Sequence, residues 1–224
     1  MELTNFSMNV LKNFASINSN IVISPGNDIT TISEAKNVLA QAKVSEEFSQ
    51  GFGIYDLNEF LNVVGLVDGP RLRFENEYVL VGDASGRAQI KYYFSDTEML
   101  TTPSKLITMP STDVSFFLDQ GTLNNLKRAA SVLGHSQLVI EPSEGAVKLS
   151  VVDIENSTSN GYAIDVDGEY EEEKFKFVLN ITNLKMIAGD YNVSISSKLI
   201  SEFKSTDNDL TYWVALEKSS TYGE

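Results

Sequence analysis

Lys12, Lys127 and Arg128 are the residues whose placement calls for a chemical explanation. The 224-residue chain carries 31 Asp and Glu against 17 Lys and Arg, a net charge of −14. A surface helix here should therefore be acidic, yet the segments that carry these three cations show none of those acids. Ammonium and guanidinium groups on faces without carboxylates suit weak compensation of phosphates, a contact that reads no base. Other chemistry is thinly represented. The one histidine, His135, falls at a helix end, so a Ser-His-Asp arrangement would have to use it, and no nucleophile elbow is present. Walker-type and Gly-x-Gly-x-x-Gly phosphate loops are missing. Glu171–Glu173 and Asp207-Asn208-Asp209 lack the spaced ligands and glycine of a calcium loop and read as solvated turns. The expectation is a protein that is not an enzyme and has neither cofactor nor metal.

The elements that must position the cations follow from apolar spacing. Leu123, Leu126, Ala130 and Leu133 form one stripe of period 3.6, after a strand ending at Phe117-Leu118 and a turn at Asp119-Gln120-Gly121. Arg128 falls opposite that stripe and Lys127 on its flank, with Asn124, Asn125 and Ser131 filling the outer face. Near the N-terminus Leu3, Phe6, Val10, Phe14 and Ile17 repeat the pattern. There Lys12 is opposite, with Asn5, Asn9 and Ser16 around it.

Leu11–Ile17 can be laid on Leu126–Val132 at an offset of 115 residues, and Ile54–Phe60 on Val178–Leu184 at an offset of 124. In the second pair a strand meets an Asx residue placed as an N-cap, and a short striped helix follows; Asp56 and Glu59 have capping-box spacing. These two pairs predict an internal duplication, each half reading helix, strands, helix, strands. The fourth helix is expected over 181–187. Strands are expected at 21–23, 29–32, 36–42, 52–54, 71–75, 78–81 and 87–94 in the first half. In the second they fall at 114–118, 137–141, 146–154, 162–166, 175–179, 191–196, 199–204 and 210–217. The acidic run from Asp165 reads as an edge and loop, and 218–224 as a loose tail.

Bulk properties bound the rest. The chain has no cysteine, which fits a reducing compartment. Its N-terminus lacks the basic start and apolar run of a signal peptide, no stretch approaches a membrane span, and no membrane partner is expected. Strong acidity argues against a simple basic-patch nucleic-acid binder.

Leu11–Ser19, Ile54–Leu61, Asn183-Leu184-Lys185-Met186, Gly189-Asp190-Tyr191 and Val214–Glu217 resemble the sliding clamps of T-even-type bacteriophages. The resemblance is co-linear over essentially the whole chain, and the connector and the acidic segment after Asp165 depart from it. It implies an α+β fold, the duplicated DNA-clamp fold, with two similar domains per chain (1–94 and 111–224) joined by a connector at 95–110. Helices would line a ring and antiparallel sheets would form its outside. It also implies a homotrimer around duplex DNA, a DNA polymerase that holds the ring, and an ATP-dependent clamp loader that opens it. The setting would be the cytoplasm of the infected bacterial host.

On that reading Lys12, Lys127, Arg128 and Lys185 face the DNA together with Asn5, Asn9 and Asn124, Lys185 lying nearer the flank of its short helix. Clamp topology makes 87–94 and 162–167 the joining sheet edges. Arg87, Lys91 and Tyr93 lie on one, and Tyr162, Ile164 and Asp165 on the other. A partner peptide would dock in an apolar pocket beside the connector and last strand, where Leu106, Ile107 and Leu216 are candidates. The rival reading is an acidic, duplicated, β-rich phage structural or host-interaction protein with no DNA role.

Overall fold

The structure, a computed structural model, describes residues 1–105, 107–172 and 174–223. The chain divides into two compact units, Met1–Lys105 and Leu106–Glu224. All strand pairings quoted below are antiparallel.

The first unit opens with α1 (Asn5–Ile17), followed by β1 (Ile21–Ile23), β2 (Gly26–Ile32), β3 (Val38–Phe48) and β4 (Phe52–Ile54). Then come α2 (Leu57–Gly65), β5 (Arg71–Phe74), β6 (Tyr78–Gly82) and β7 (Gln89–Tyr93). β1 pairs with β4, β2 with β3, and β5-β6-β7 form a meander with β7 on its edge. Val10, Leu11, Phe14 and Ile17 turn α1 onto the core, and Leu57, Phe60, Leu61 and Val64 do the same for α2. Full burial of Phe14 makes it an anchor whose truncation to Ala costs about 3–5 kcal/mol. Thr4 caps α1, its side chain accepting from the Ser7 N–H at 3.2 Å. Beneath that end lies Glu46, which β3 places on its buried side in line with Val44 and Phe48. Its carboxylate accepts from the Thr4 N–H and, at 2.5 Å, from the Ser7 hydroxyl.

The second unit contains β8 (Val114–Leu118), α3 (Gln120–Leu133), β9 (Gln137–Ser143), β10 (Ala146–Val152), β11 (Tyr162–Val166), β12 (Gly168–Tyr170) and β13 (Phe175–Asn180). β14 (Tyr191–Ser196), β15 (Ile200–Ser205), β16 (Leu210–Ala215) and β17 (Thr221–Tyr222) complete it. One run of neighbours is β11-β10-β9-β13-β17 and another is β12-β8-β14-β15-β16. Asp119 caps α3, accepting from the Thr122 N–H at 2.8 Å and from the Thr122 hydroxyl at 2.6 Å. Gly134 ends the helix at φ 72°, a left-handed conformation that costs glycine nothing.

Several expected elements differ. The predicted fourth helix is a single 3-10 turn, Ile181–Asn183. Beyond it Leu184 and Met186 are buried and Lys185 exposed, an in-out alternation that belongs to extended chain. Strand β3 starts after Lys36, which sits in a turn at φ 56°, and runs on to Phe48. Strand β7 starts at Gln89, leaving Arg87 in the preceding turn, its N–H donating to Asp83 at 3.0 Å. Part of the acidic run is strand β12, paired with β8. The tail is tied down as well: β17 pairs with β13, and Tyr222 stacks on Phe177 with centroids 5.9 Å apart.

Candidate nucleic-acid interface and docking surfaces

Helix α1 leaves Asn5, Asn9, Lys12 and Ser16 exposed, a spacing that puts all four on one face. The exposed residues of α3 include Asn124, Asn125, Arg128 and Ser131. Neither helix contains an acid, whereas α2 carries Glu59 in its first turn. Lys127 is half-buried, and that burial pulls its ammonium below the ordinary lysine value of 10.5. Its ammonium is also less open to solvent than the guanidinium of its exposed neighbour Arg128. Lys185 is exposed on the extended segment rather than on a helix flank. Such faces compensate phosphates loosely, and the neutral amides and hydroxyls between the cations suit water-bridged contacts.

Edge strand β7 exposes Gln89, Lys91 and Tyr93 on one face and half-buries Ile90 and Tyr92 on the other. The Lys91 ammonium stands 3.8 Å from the centre of the Tyr78 ring and 4.6 Å from that of Tyr93. A hydrogen bond with Tyr93 raises its pKa. β11, the edge of its own sheet, exposes Ala163 and Asp165 and half-buries Tyr162, Ile164 and Val166. Behind it Tyr162 lines a groove of about 510 Å³ with Arg128 and the exposed Val132 of α3.

The segment 95–113, which contains the expected connector, is anchored at both ends. The Ser95 N–H donates to the Gly53 carbonyl at 2.9 Å, and Leu100 is buried against Gly53, where a Cβ would stand 2.7 Å from its Cδ1. At the far end, burial works against the charge of Asp113. The Ser197 N–H at 2.6 Å and the Ser111 hydroxyl at 3.0 Å outweigh it and hold the carboxyl below its ordinary 3.8. Ile107 is half-buried and Leu216 buried, while Leu106 lies outside the described residues. The sequence reading missed Glu46, although the alternation Val44-x-Glu46-x-Phe48 marks it as facing the core. Asp113 carries no comparable signal, because its backbone partner Ser197 is 84 residues away.

A family model described as DNA polymerase processivity factor matches residues 4–84, and one described as gp45 sliding clamp, C terminal, matches 115–218. The chain is 31% identical over 223 residues to the sliding clamp of Vibrio phage KVP40, covering 97% of this chain and 99% of the relative. It is 28% identical to the sliding clamp of Escherichia phage RB69 and 29% to that of Enterobacteria phage T4, each over 99% of both chains. Among solved structures, PCNA from Thermococcus kodakaraensis superposes with a TM-score of 0.71 at 15% identity, over 94% of this chain and 95% of that one. Proliferating Cellular Nuclear Antigen from Entamoeba histolytica gives 0.67 at 15% identity, over 94% of each. The fold is thus the duplicated α+β DNA-clamp fold, and the chain belongs to the sliding clamp family.

Proposed function

We propose that three copies of this chain close into a ring around duplex DNA, with the exposed faces of α1 and α3 turned to the phosphates. As a sliding clamp the chain is a DNA polymerase processivity factor and not an enzyme. The ring tethers the polymerase, and an ATP-dependent clamp loader opens and closes it. Its setting is the cytoplasm of the infected bacterial host, in keeping with the phage origin of its relatives.

The observation that carries this reading is local. Two helices without an acid expose Lys12 and Arg128 on a chain of net charge −14. The net field of such a ring repels DNA, so binding is confined to where local charge is positive, and retention rests on topology. Phosphate contacts at these faces fix no sequence, as a sliding ring requires. The joints form between β7, with Lys91 and Tyr93 and Arg87 just before it, and β11, with Tyr162, Ile164 and Asp165. A head-to-tail contact of this kind closes when its rotation is right. The partner peptide docks beside the connector, around Leu106, Ile107 and Leu216.

The near full-length likeness to phage clamps favours this reading over a phage structural protein without a DNA role. The test is mass in solution across a concentration series, joined to retention on nicked circular DNA with the same DNA linearised as control. A trimer held on circles and lost from linear DNA is expected. Equal retention on both forms overturns encirclement.

A further inference from the structure

The proposed ring leaves open how its two edge strands meet, and the residues of those strands decide it. Resting on that reading, we infer that β7 of one copy runs antiparallel to β11 of the next with Lys91 opposite Asp165. Tyr93 then lies opposite Ala163, Tyr92 opposite Ile164, and Ile90 opposite Val166.

Three observations lead to this register. The first is the faces. Lys91 and Tyr93 are exposed, as are Ala163 and Asp165; Ile90 and Tyr92 are half-buried, as are Ile164 and Val166. A slip of one residue would set every exposed side chain opposite one on the helix side, so it is excluded. The second is overlap. Two face-preserving antiparallel registers keep all but one residue of each strand opposed: the one above, and one shifted to put Lys91 opposite Ala163 and Gln89 opposite Asp165.

The third is charge, which separates those two. Glu141 on β9 stands opposite Lys148 on β10, and Lys148 opposite Asp165 on β11. This row alternates in sign from strand to strand and ends on a carboxylate at an open edge. A cation is the favourable next member, since opposite charges directly across a ladder stabilise it. Lys91 supplies one, whereas the shifted register supplies the neutral Gln89.

Lys91 is also held in place for this contact. Its ammonium lies over the rings of Tyr78 and Tyr93, which stand opposite each other on β6 and β7 with centroids 5.7 Å apart. Packing a flexible lysine between two rings reduces the rotamer freedom that docking would otherwise remove. Tyr78 is therefore a positioning residue for the joint, acting through Lys91.

The chain has no cysteine, so engineered pairs report the register directly. The variant Tyr93→Cys with Ala163→Cys should cross-link on oxidation into covalent multimers. Lys91→Cys with Ala163→Cys reports the shifted register, and Tyr93→Cys with Asp167→Cys reports a parallel joint. The first pair should cross-link at least about tenfold faster than either control; a faster control overturns the register. Sedimentation of the unmodified chain separates the two claims, because a monomer at micromolar concentration overturns the ring itself. A multimer whose first pair stays open overturns the register alone. For Tyr78, the change to Leu should weaken assembly about threefold, the low end of the cost of immobilising one flexible side chain on docking. That loss should vanish in a Lys91→Met background. Equal losses in both backgrounds would leave Tyr78 with only a local packing role and overturn its assignment.

Discussion

The ring of Tyr92 stands edge-on to that of Phe60, with centroids 5.3 Å apart, and so fastens the edge strand β7 to helix α2. Its hydroxyl reaches the Asp56 carbonyl at 3.3 Å and the Glu59 carboxylate at 3.4 Å. Burial, and then the nearby Glu59 charge, push its pKa up to about 12. A phenol raised in the folded state contributes stability that is complete below the unfolded value near 10 and is lost as pH climbs toward 12. Tyr92→Phe should therefore flatten part of the alkaline limb of stability while costing less than about 1 kcal/mol at pH 7. Tyr92→Ala loses the ring contact as well and should cost about 2 kcal/mol. Urea titrations between pH 7 and 11 measure both.

Reversal of Lys12 and Arg128 to Glu together should sharply reduce loading and residence on circular DNA, with mass and melting temperature nearly unchanged. Either single change should do little, because exposed phosphate contacts are screened within about 8 Å at physiological salt. Retention on nicked circles is the assay, and wild-type retention by the double variant would take α1 and α3 away from the DNA.

Lys127→Ala is expected to weaken retention less than Arg128→Ala, since Lys127 is half-buried and Arg128 exposed. Comparing the salt at which each ring is released from circles ranks the two. The opposite order would make Lys127 the principal contact.

Ser at positions 106 and 107 in place of Leu106 and Ile107 should abolish polymerase stimulation and leave the assembly intact, if the dock is apolar. Primer extension on long templates, with mass measured in parallel, separates docking from assembly. Undiminished stimulation would move the dock away from the connector.

For Glu46, burial opposes the charge, yet hydrogen bonds from Ser7 and Thr4 outweigh it and bring the pKa below its ordinary 4.5. Because the folded value is depressed, its stabilisation is present above 4.5 and fades as pH falls through the folded value. Glu46→Gln should remove part of the acid limb and cost about 1–2 kcal/mol at pH 7. Stability that falls with acid as steeply in the variant as in the wild type would exclude Glu46 as the cause.

Much of this was legible in the residues because it is local. The stripes of α1, α2 and α3 and the cap at Asp56 depend on neighbours within a turn or two, and each is where periodicity puts it. The segment after Asn180 misled because Ile181, Leu184 and Ile187 match a helical stripe in so short a run. Burial of both Leu184 and Met186 instead follows the alternation of a strand. The pairing of Tyr222 with Phe175 was hidden because a polar tail gives no sign of the long-range partner that orders it. The core-facing place of Glu46 could be read from alternation, but its partners across 39 and 42 residues could not.

A helix turned toward phosphates faces a conflict of design. The N-terminal end of any helix is steadied by a nearby anion, commonly an acid in its own first turn, yet an acid there would stand in view of the DNA. α1 has none in its first turn. The anion comes from below, out of strand β3, where Glu46 is only 7% exposed. Protein separates that charge from the solvent side of the helix, so the backbone end is neutralised while the exposed row of amides, hydroxyl and lysine stays without an acid. Moving the carboxylate to the surface, as in Asn5→Glu with Glu46→Gln, would keep the formal charge of the chain and still change what a passing phosphate meets.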